Sequence, residues 1–209
     1  DGFMALRSEG LIVRSRKYVR DDGKTIHLFP MAHVGDSDFY REISQSFPTN
    51  ATVLIEGVTD NGNLLTNRIT YERMAATLGV AEQQKEFTPR GEIVPADVDL
   101  EVFEPATIDF LNLVMLIHSK GVNATTWSYL IQYSESSHLQ KQLFDDLLGK
   151  RNRHLLAEIQ AQLPQANPII VPWGAAHMPE IGREIQKLGF RVIETEDHVA
   201  IRFRRGGKQ

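Results

Sequence analysis

Two short runs, Thr52-Val53-Leu54-Ile55 and Pro168-Ile169-Ile170-Val171, are almost uniformly apolar and rich in β-branched residues. A strand with one face in water alternates apolar and polar residues, and these do not. Each run therefore reads as a strand buried on both faces, which needs helices packed above and below it. Amphipathic stretches follow where such helices are required. Phe39, Tyr40, Ile43 and Phe47 repeat at helical spacing after the capping residues of Gly35-Asp36-Ser37, and Ile181, Ile185 and Leu188 do so before Gly189. The expected fold is α/β, with a central, largely parallel sheet flanked by helices.

Residues 10–34 read as a β-hairpin, because Asp21-Asp22-Gly23 separates two apolar segments. Residues 64–86 are expected to be helical up to Gly79, and the proline-bearing stretch 87–105 to be loop plus a short strand. Residues 106–133 are expected to be helical with a break at Gly121, and Leu139, Leu143, Leu147, Leu155 and Ile159 mark a further helix over 138–163. A helical insert over roughly 64–163 thus interrupts the alternating pattern. Two separate strands, 190–193 and 199–203, are expected to close the chain.

With 209 residues, a single domain suffices to hold these elements. The hydrophobic fraction of 42% excludes a largely disordered chain, and a net charge of −4 excludes the basic excess of a nucleic-acid binder. The locally basic end, Arg202, Arg204, Arg205 and Lys208, reads as a solvated tail. There is no cysteine, so thiolate nucleophiles, disulfides and iron–sulfur clusters are excluded, and a side-chain metal site must use histidine, carboxylate or carbonyl ligands. No run approaches the roughly 18 apolar residues of a membrane span; the longest candidate, Phe110 to Ile117, reads as a core segment. The chain opens at Asp1, which leaves room for a removed signal or anchor and an extracytoplasmic setting.

Chemistry-bearing residues gather at the strand ends. Residues 25–47 and 169–190 echo one another: an apolar strand, an Ala-His pair (Ala32-His33, Ala176-His177), a turn, then a helix containing Arg-Glu-Ile. Glu56 directly follows the run 52–55. Two histidines and a glutamate at the carboxyl edge of an open α/β sheet occupy the place where such sheets bind ligands, and together they suit a divalent metal with open positions. Taken singly, His33 and His177 also fit structural hydrogen-bonding roles, and Glu56 fits a helix cap or an arginine pair. Arg151 falls on the apolar stripe between Leu147 and Leu155, where a guanidinium needs an anion. That anion is either a substrate carboxylate or developing oxyanion, or an acid of the middle segment. The alternation Asp97, Asp99, Glu101 reads as a mostly solvated acidic edge, with Asp97 a minor candidate for the site. His27, His118, His138, His154 and His198 read as structural.

These motifs resemble the TraB/PrgY/GumN family, which includes the Tiki proteases and lies near the EreA/ChaN-like fold group. The resemblance rests on the strand leading to His33, on Leu54-Ile55-Glu56-Gly57, on Arg151-Asn152 in a long helix, and on Gly174-Ala175-Ala176-His177-Met178-Pro179. It spans residues 25–194. One of the family's two Gly-x-x-His motifs is altered here, to Pro30-Met31-Ala32-His33. The resemblance implies a metal-dependent hydrolase, specifically a peptidase, with His33, Glu56 and His177 at the metal and Arg151 beside it. Manganese or cobalt is implied over zinc, with a peptide or small molecule as substrate. ChaN-like neighbours imply an alternative in which the chain binds haem iron or a peptide without turnover. A metal-free esterase using histidine as base is a third expectation, and Glu56 can serve as ligand or as general base.

Overall fold

The computed structural model describes residues 2–203. The expected hairpin is present. Strands β1 (Met4–Arg7), β2 (Gly10–Val19) and β3 (Thr25–Met31) form an antiparallel group, with β1 and β3 sharing one edge of β2. The chain then enters a two-residue strand β4 (Val34–Gly35), helix α1 (Ser37–Ser46) and strand β5 (Thr52–Ile55). Asp36 precedes α1 as expected, but its carboxylate does not cap the helix. It accepts the backbone N–H of Arg202 instead, tying the helix start to the last strand of the chain.

The middle segment departs from a simple helical run. Helix α2 covers only Glu72–Leu78, ended by Gly79 in the left-handed region (φ 66°), and residues 64–71 are irregular. Asp60 and Asn112 hold that irregular stretch, accepting from the N–H groups of Leu64 and Leu65 and of Thr66 respectively. Side-chain hydrogen bonds here replace the helical ladder that apolar spacing alone suggests. After β6 (Ala81–Glu82) and α3 (Gln83–Glu86), β7 (Glu92–Pro95) pairs in parallel with β5, so the segment contributes a strand to the sheet. Helices α4 (Pro105–Lys120), α5 (Ala124–Glu135) and α6 (Ser137–Phe144) follow. A π-helical turn over Asp145–Lys150 then leads into α7 (Arg151–Gln162). Buried Asp146 accepts from Thr107 and from the N–H of Glu104, which anchors this turn to the start of α4.

Strand β8 (Ile169–Gly174) enters the sheet between β3 and β5, parallel to both. Helix α8 (Met178–Lys187) and β9 complete the fold. The two strands expected near the end are one: β9 runs from Arg191 to Arg202 along the free edge of β2, with two register shifts. Its polar middle, Glu194 to Asp197, belongs to an exposed edge strand, where no apolar alternation is required.

The core lies on both faces of the parallel block, as the unalternating strands demand. On one face Phe39, Tyr40 and Ile43 of α1, with Phe47 just after it, pack over Phe29, Val53 and Ile170. On the other, Leu155 and Ile159 of α7 and Ile181 and Ile185 of α8 cover Ile26, Leu54, Ile169 and Val171. Four parallel strands, in the order β3, β8, β5, β7, therefore deliver their carboxyl ends to one edge. No helix among the described residues is long and apolar enough to cross a membrane. Of the basic end, Arg204, Arg205 and Lys208 lie outside the described residues, and Arg202 is exposed.

Candidate active site

Each of those four strand ends carries a site group. His33 follows β3, Glu56 follows β5, Asp97 follows β7, and His177 follows β8 in a short 3-10 turn. Arg151 approaches from above on the first turn of α7. Glu56 is the hub: its Oε2 accepts the backbone N–H of Gly174 at 2.7 Å, and its Oε1 accepts from Arg151 Nη2 at 2.7 Å. His177 Nε2 lies 3.5 Å from the same Oε1. The carboxylate is 10% exposed and the histidine 4%.

Asp97 is the residue that sequence reasoning underrated. It is no solvated edge: its side chain is 1% exposed and grips Arg151 in a two-point fork, Nε to Oδ1 at 3.0 Å and Nη2 to Oδ2 at 2.7 Å. The N–H groups of Val98 and Gly57 satisfy the remaining capacity of the Asp97 carboxylate. Of the two expectations for Arg151, the structure contains the pair with an acid of the middle segment. Its Nε and Nη2 are committed to Asp97 and Glu56, and Nη1 donates to the carbonyl of Leu147. Its guanidinium also sits over the Trp173 ring, 5.4 Å from the centroid.

A second unforeseen residue, Asn152, settles how His177 presents itself. Asn152 Nδ2 donates to Glu180 Oε2 at 2.5 Å, and a carboxylate only accepts, so Oδ1 must face the ring. His177 Nδ1 therefore carries a proton and donates to that Oδ1 at 2.6 Å. Trp173 packs edge-on against the ring at 5.1 Å. Nε2 is left facing Glu56 with two options: a second proton, giving an imidazolium–carboxylate pair, or a lone pair offered to a cation shared with Glu56. A polar residue on an otherwise buried helix face was the available signal for Asn152, which is 1% exposed.

His33 stands apart from this cluster. Its ring stacks on Tyr71 at 4.3 Å and 6° between planes, and opens onto the same cavity as Glu56 and Arg151. Among the described residues, no three histidine or acidic side chains converge as a ready metal cluster. What exists is a two-point centre, Glu56 with His177, and a third candidate on the cavity wall. The cavity encloses about 810 Å³, with Ile55, Leu65, Ile69, Phe87, Leu111 and Leu147 among its apolar walls. That volume falls in the range of small-molecule sites.

Electrostatics follow the geometry. Burial pushes the Glu56 carboxyl up, but hydrogen bonding and charge from His177, the Arg151 charge and the Gly174 N–H outweigh it and hold it near about 2. Desolvation lowers the pKa of His33; Glu56 opposes that shift, and Arg151 and His177 reinforce it. The phenol of Tyr71 is raised by desolvation and by Glu56, with Arg151 opposing. Glu56 is thus a fixed anion, His33 a neutral acceptor and Tyr71 a protonated donor near neutral pH.

The chain matches no protein-family model, no curated protein and no solved structure. The site must therefore be read from its own geometry.

Proposed function

We propose that the chain is a metal-dependent hydrolase acting on peptide bonds, with Glu56 and His177 holding a divalent ion and His33 completing the site. The observation that carries this reading is the orientation of His177. Its Nδ1 proton is spent on Asn152, and Nε2 sits 3.5 Å from a carboxylate oxygen. Metal-binding histidines are held in this manner, with the far nitrogen donating to an amide or carboxylate acceptor. The donor set fits a cation, because one imidazole and one carboxylate converge, and each Glu56 oxygen keeps one lone pair beyond the bond it accepts. Charge agrees as well: Glu56 and Asp97 against Arg151 leave an excess of one negative charge.

A divalent ion held there supplies Lewis-acid polarisation of a carbonyl. The chain's own residues supply the rest. Arg151 positions Glu56, binding it and Asp97 at once, and is not free to anchor a substrate carboxylate. Neutral His33 can take a proton from an attacking water. Tyr71, whose phenol has no hydrogen-bond partner among the described residues, can donate to a carbonyl oxygen. The resemblance to the Tiki-containing family supports manganese or cobalt over zinc.

Metal analysis and calorimetric titration with manganese, cobalt and zinc test this reading. One equivalent is expected to bind the wild type and the control His118→Ala, and to be lost in Glu56→Gln and His177→Ala. Failure of the wild type to bind any of them, or equal binding by all four proteins, overturns it. The apolar walls and open His33 favour a second reading, a protein that binds haem iron without turnover. It predicts a Soret band that disappears in His33→Ala. Ester or peptide cleavage that survives a chelator would instead point to His33 as a metal-free base.

A further inference from the structure

We infer that Arg68 binds a ligand carboxylate, so that the cavity selects apolar molecules ending in a free carboxylate group. This deepens the hydrolase reading, and it rests on the cavity being where substrate sits. Two arginines line the cavity. The fork of Arg151 is taken up by Asp97 and Glu56. Arg68 is exposed and has no acidic partner among the described residues. Asp60, an acid in the same lining, accepts the N–H groups of Leu64 and Leu65 and makes no ion pair with Arg68 among the described residues.

The charges also give the ligand a direction. Glu56 lines the cavity and shares the one guanidinium of Arg151 with Asp97, which is buried and does not line it. That end of the cavity is therefore net negative and repels an anion. Arg68, on the irregular 64–71 stretch, attracts one, and a guanidinium fork matches a carboxylate at two points. Leu65, Ile69 and Tyr71 come from that same stretch, so the cation is set in an apolar wall. A ligand that satisfies both surfaces has an apolar body against the wall and its carboxylate at Arg68. Any amide or ester bond to be cut then lies toward Glu56, away from the charged end. A peptide's carboxyl terminus and a fatty acid share this chemistry.

Binding of four probes separates the outcomes: N-acetyl-Leu-Phe-Leu with a free carboxylate, the same peptide as its amide, decanoate, and the polar acid N-acetyl-Ser-Gly-Ser. All titrations are run on the full chain with chelator present, so that a missing metal centre cannot mask the result. The free acid is expected to bind at least about tenfold more tightly than the amide. Arg68→Gln should remove that preference, and Arg41→Gln, at an exposed arginine outside the cavity, should keep it. Because Arg68 is exposed, Arg68→Gln is expected to keep the wild-type circular dichroism and unfolding midpoint. A carboxylate preference for the peptide assigns a peptide source, and tight decanoate binding that is lost in Arg68→Gln assigns a fatty-acid source; either supports the inference. Equal affinity for acid and amide together with no Arg68-dependent decanoate binding overturns it. So does a preference that persists in Arg68→Gln, or equal binding of the polar acid.

Discussion

Replacing Asp97 by asparagine should be among the most damaging single-atom changes in this protein, although Asp97 lies outside the proposed metal pair. The carboxylate is 1% exposed and accepts four hydrogen bonds, two of them from Arg151. Asparagine keeps one acceptor oxygen and turns an N–H pair toward a guanidinium that cannot accept. Arg151 retains Glu56, so its charge is not stranded outright. Losing one charge-assisted bond and orphaning a buried donor should lower the unfolding free energy by about 3 kcal/mol. For a chain of this size that is a fall of roughly 6–12 °C in Tm. Arg151→Met should cost about 3–5 kcal/mol, because it leaves two buried carboxylates without their cation. The double variant should cost less than the sum by at least about 1.5 kcal/mol. Urea unfolding near neutral pH with chelator present, analysed at constant m, measures all four corners of the cycle. A loss below about 0.5 kcal/mol for Asp97→Asn, or additivity within about 0.5 kcal/mol, would refute the view that Asp97, Arg151 and Glu56 act as one unit.

Asn152→Leu removes the acceptor that fixes His177 and should weaken divalent-metal affinity about 10–100-fold, read by calorimetry; unchanged affinity would sink the orienting role. His27 is the clearest source of acid sensitivity: desolvation, reinforced by Lys17 and His198, lowers its pKa from 6.5 to about 4. The unfolded chain therefore protonates first. The stability tied to neutral His27 is present above about 6.5 and is lost, up to about 3 kcal/mol, as the pH falls through 4. Unfolding midpoints between those pH values should flatten in His27→Gln, and an unchanged slope would assign the loss elsewhere. Gly91→Ala should destabilise by about 2–3 kcal/mol in the same assay. Its φ is +107°, and a Cβ there would stand 2.6 Å from the Ala51 carbonyl oxygen, so a neutral result would mean that the entry to β7 is built differently.

The parts of the site legible in the sequence are those announced by strand ends. Glu56 and His177 could be placed because the runs before them lack any polar alternation, which fixes both the element and the edge at which it stops. Asp97 follows a strand of four residues ending in proline, whose exposed Ile93 and Glu92 carry no such signature. Its neighbour Asp99 has the same composition and is spent on Thr59, Asn61 and Glu101. Which aspartate turns inward depends on where α7 brings Arg151, and no local pattern encodes that. The stretch bearing Arg68 and Tyr71 was hidden differently. Its apolar spacing suits a helix, and the bonds that its N–H groups give instead to Asp60, four residues back, and to distant Asn112 make it a cavity wall.

Arg151 explains why this edge needs so many groups. A lone buried glutamate at a strand end would take up a proton rather than stay charged. Arg151 prevents this, but an arginine bound to Glu56 alone would cancel its charge and blunt it as a ligand. Asp97 resolves the conflict by taking two of the three charge-assisted bonds that Arg151 makes, leaving Glu56 ionised and still net attractive to a cation. On the opposite flank, Glu180 acts through Asn152 on His177, and again a second carboxylate sets the state of the first-contact group. Asp97 and Glu180, the two acids outside the proposed metal pair, thus set the states of Glu56 and His177. This makes a sharp demand on experiment: Asp97→Asn should weaken metal binding even in the fraction that remains folded, whereas Asp99→Asn, with the same change of charge on the same loop, should not.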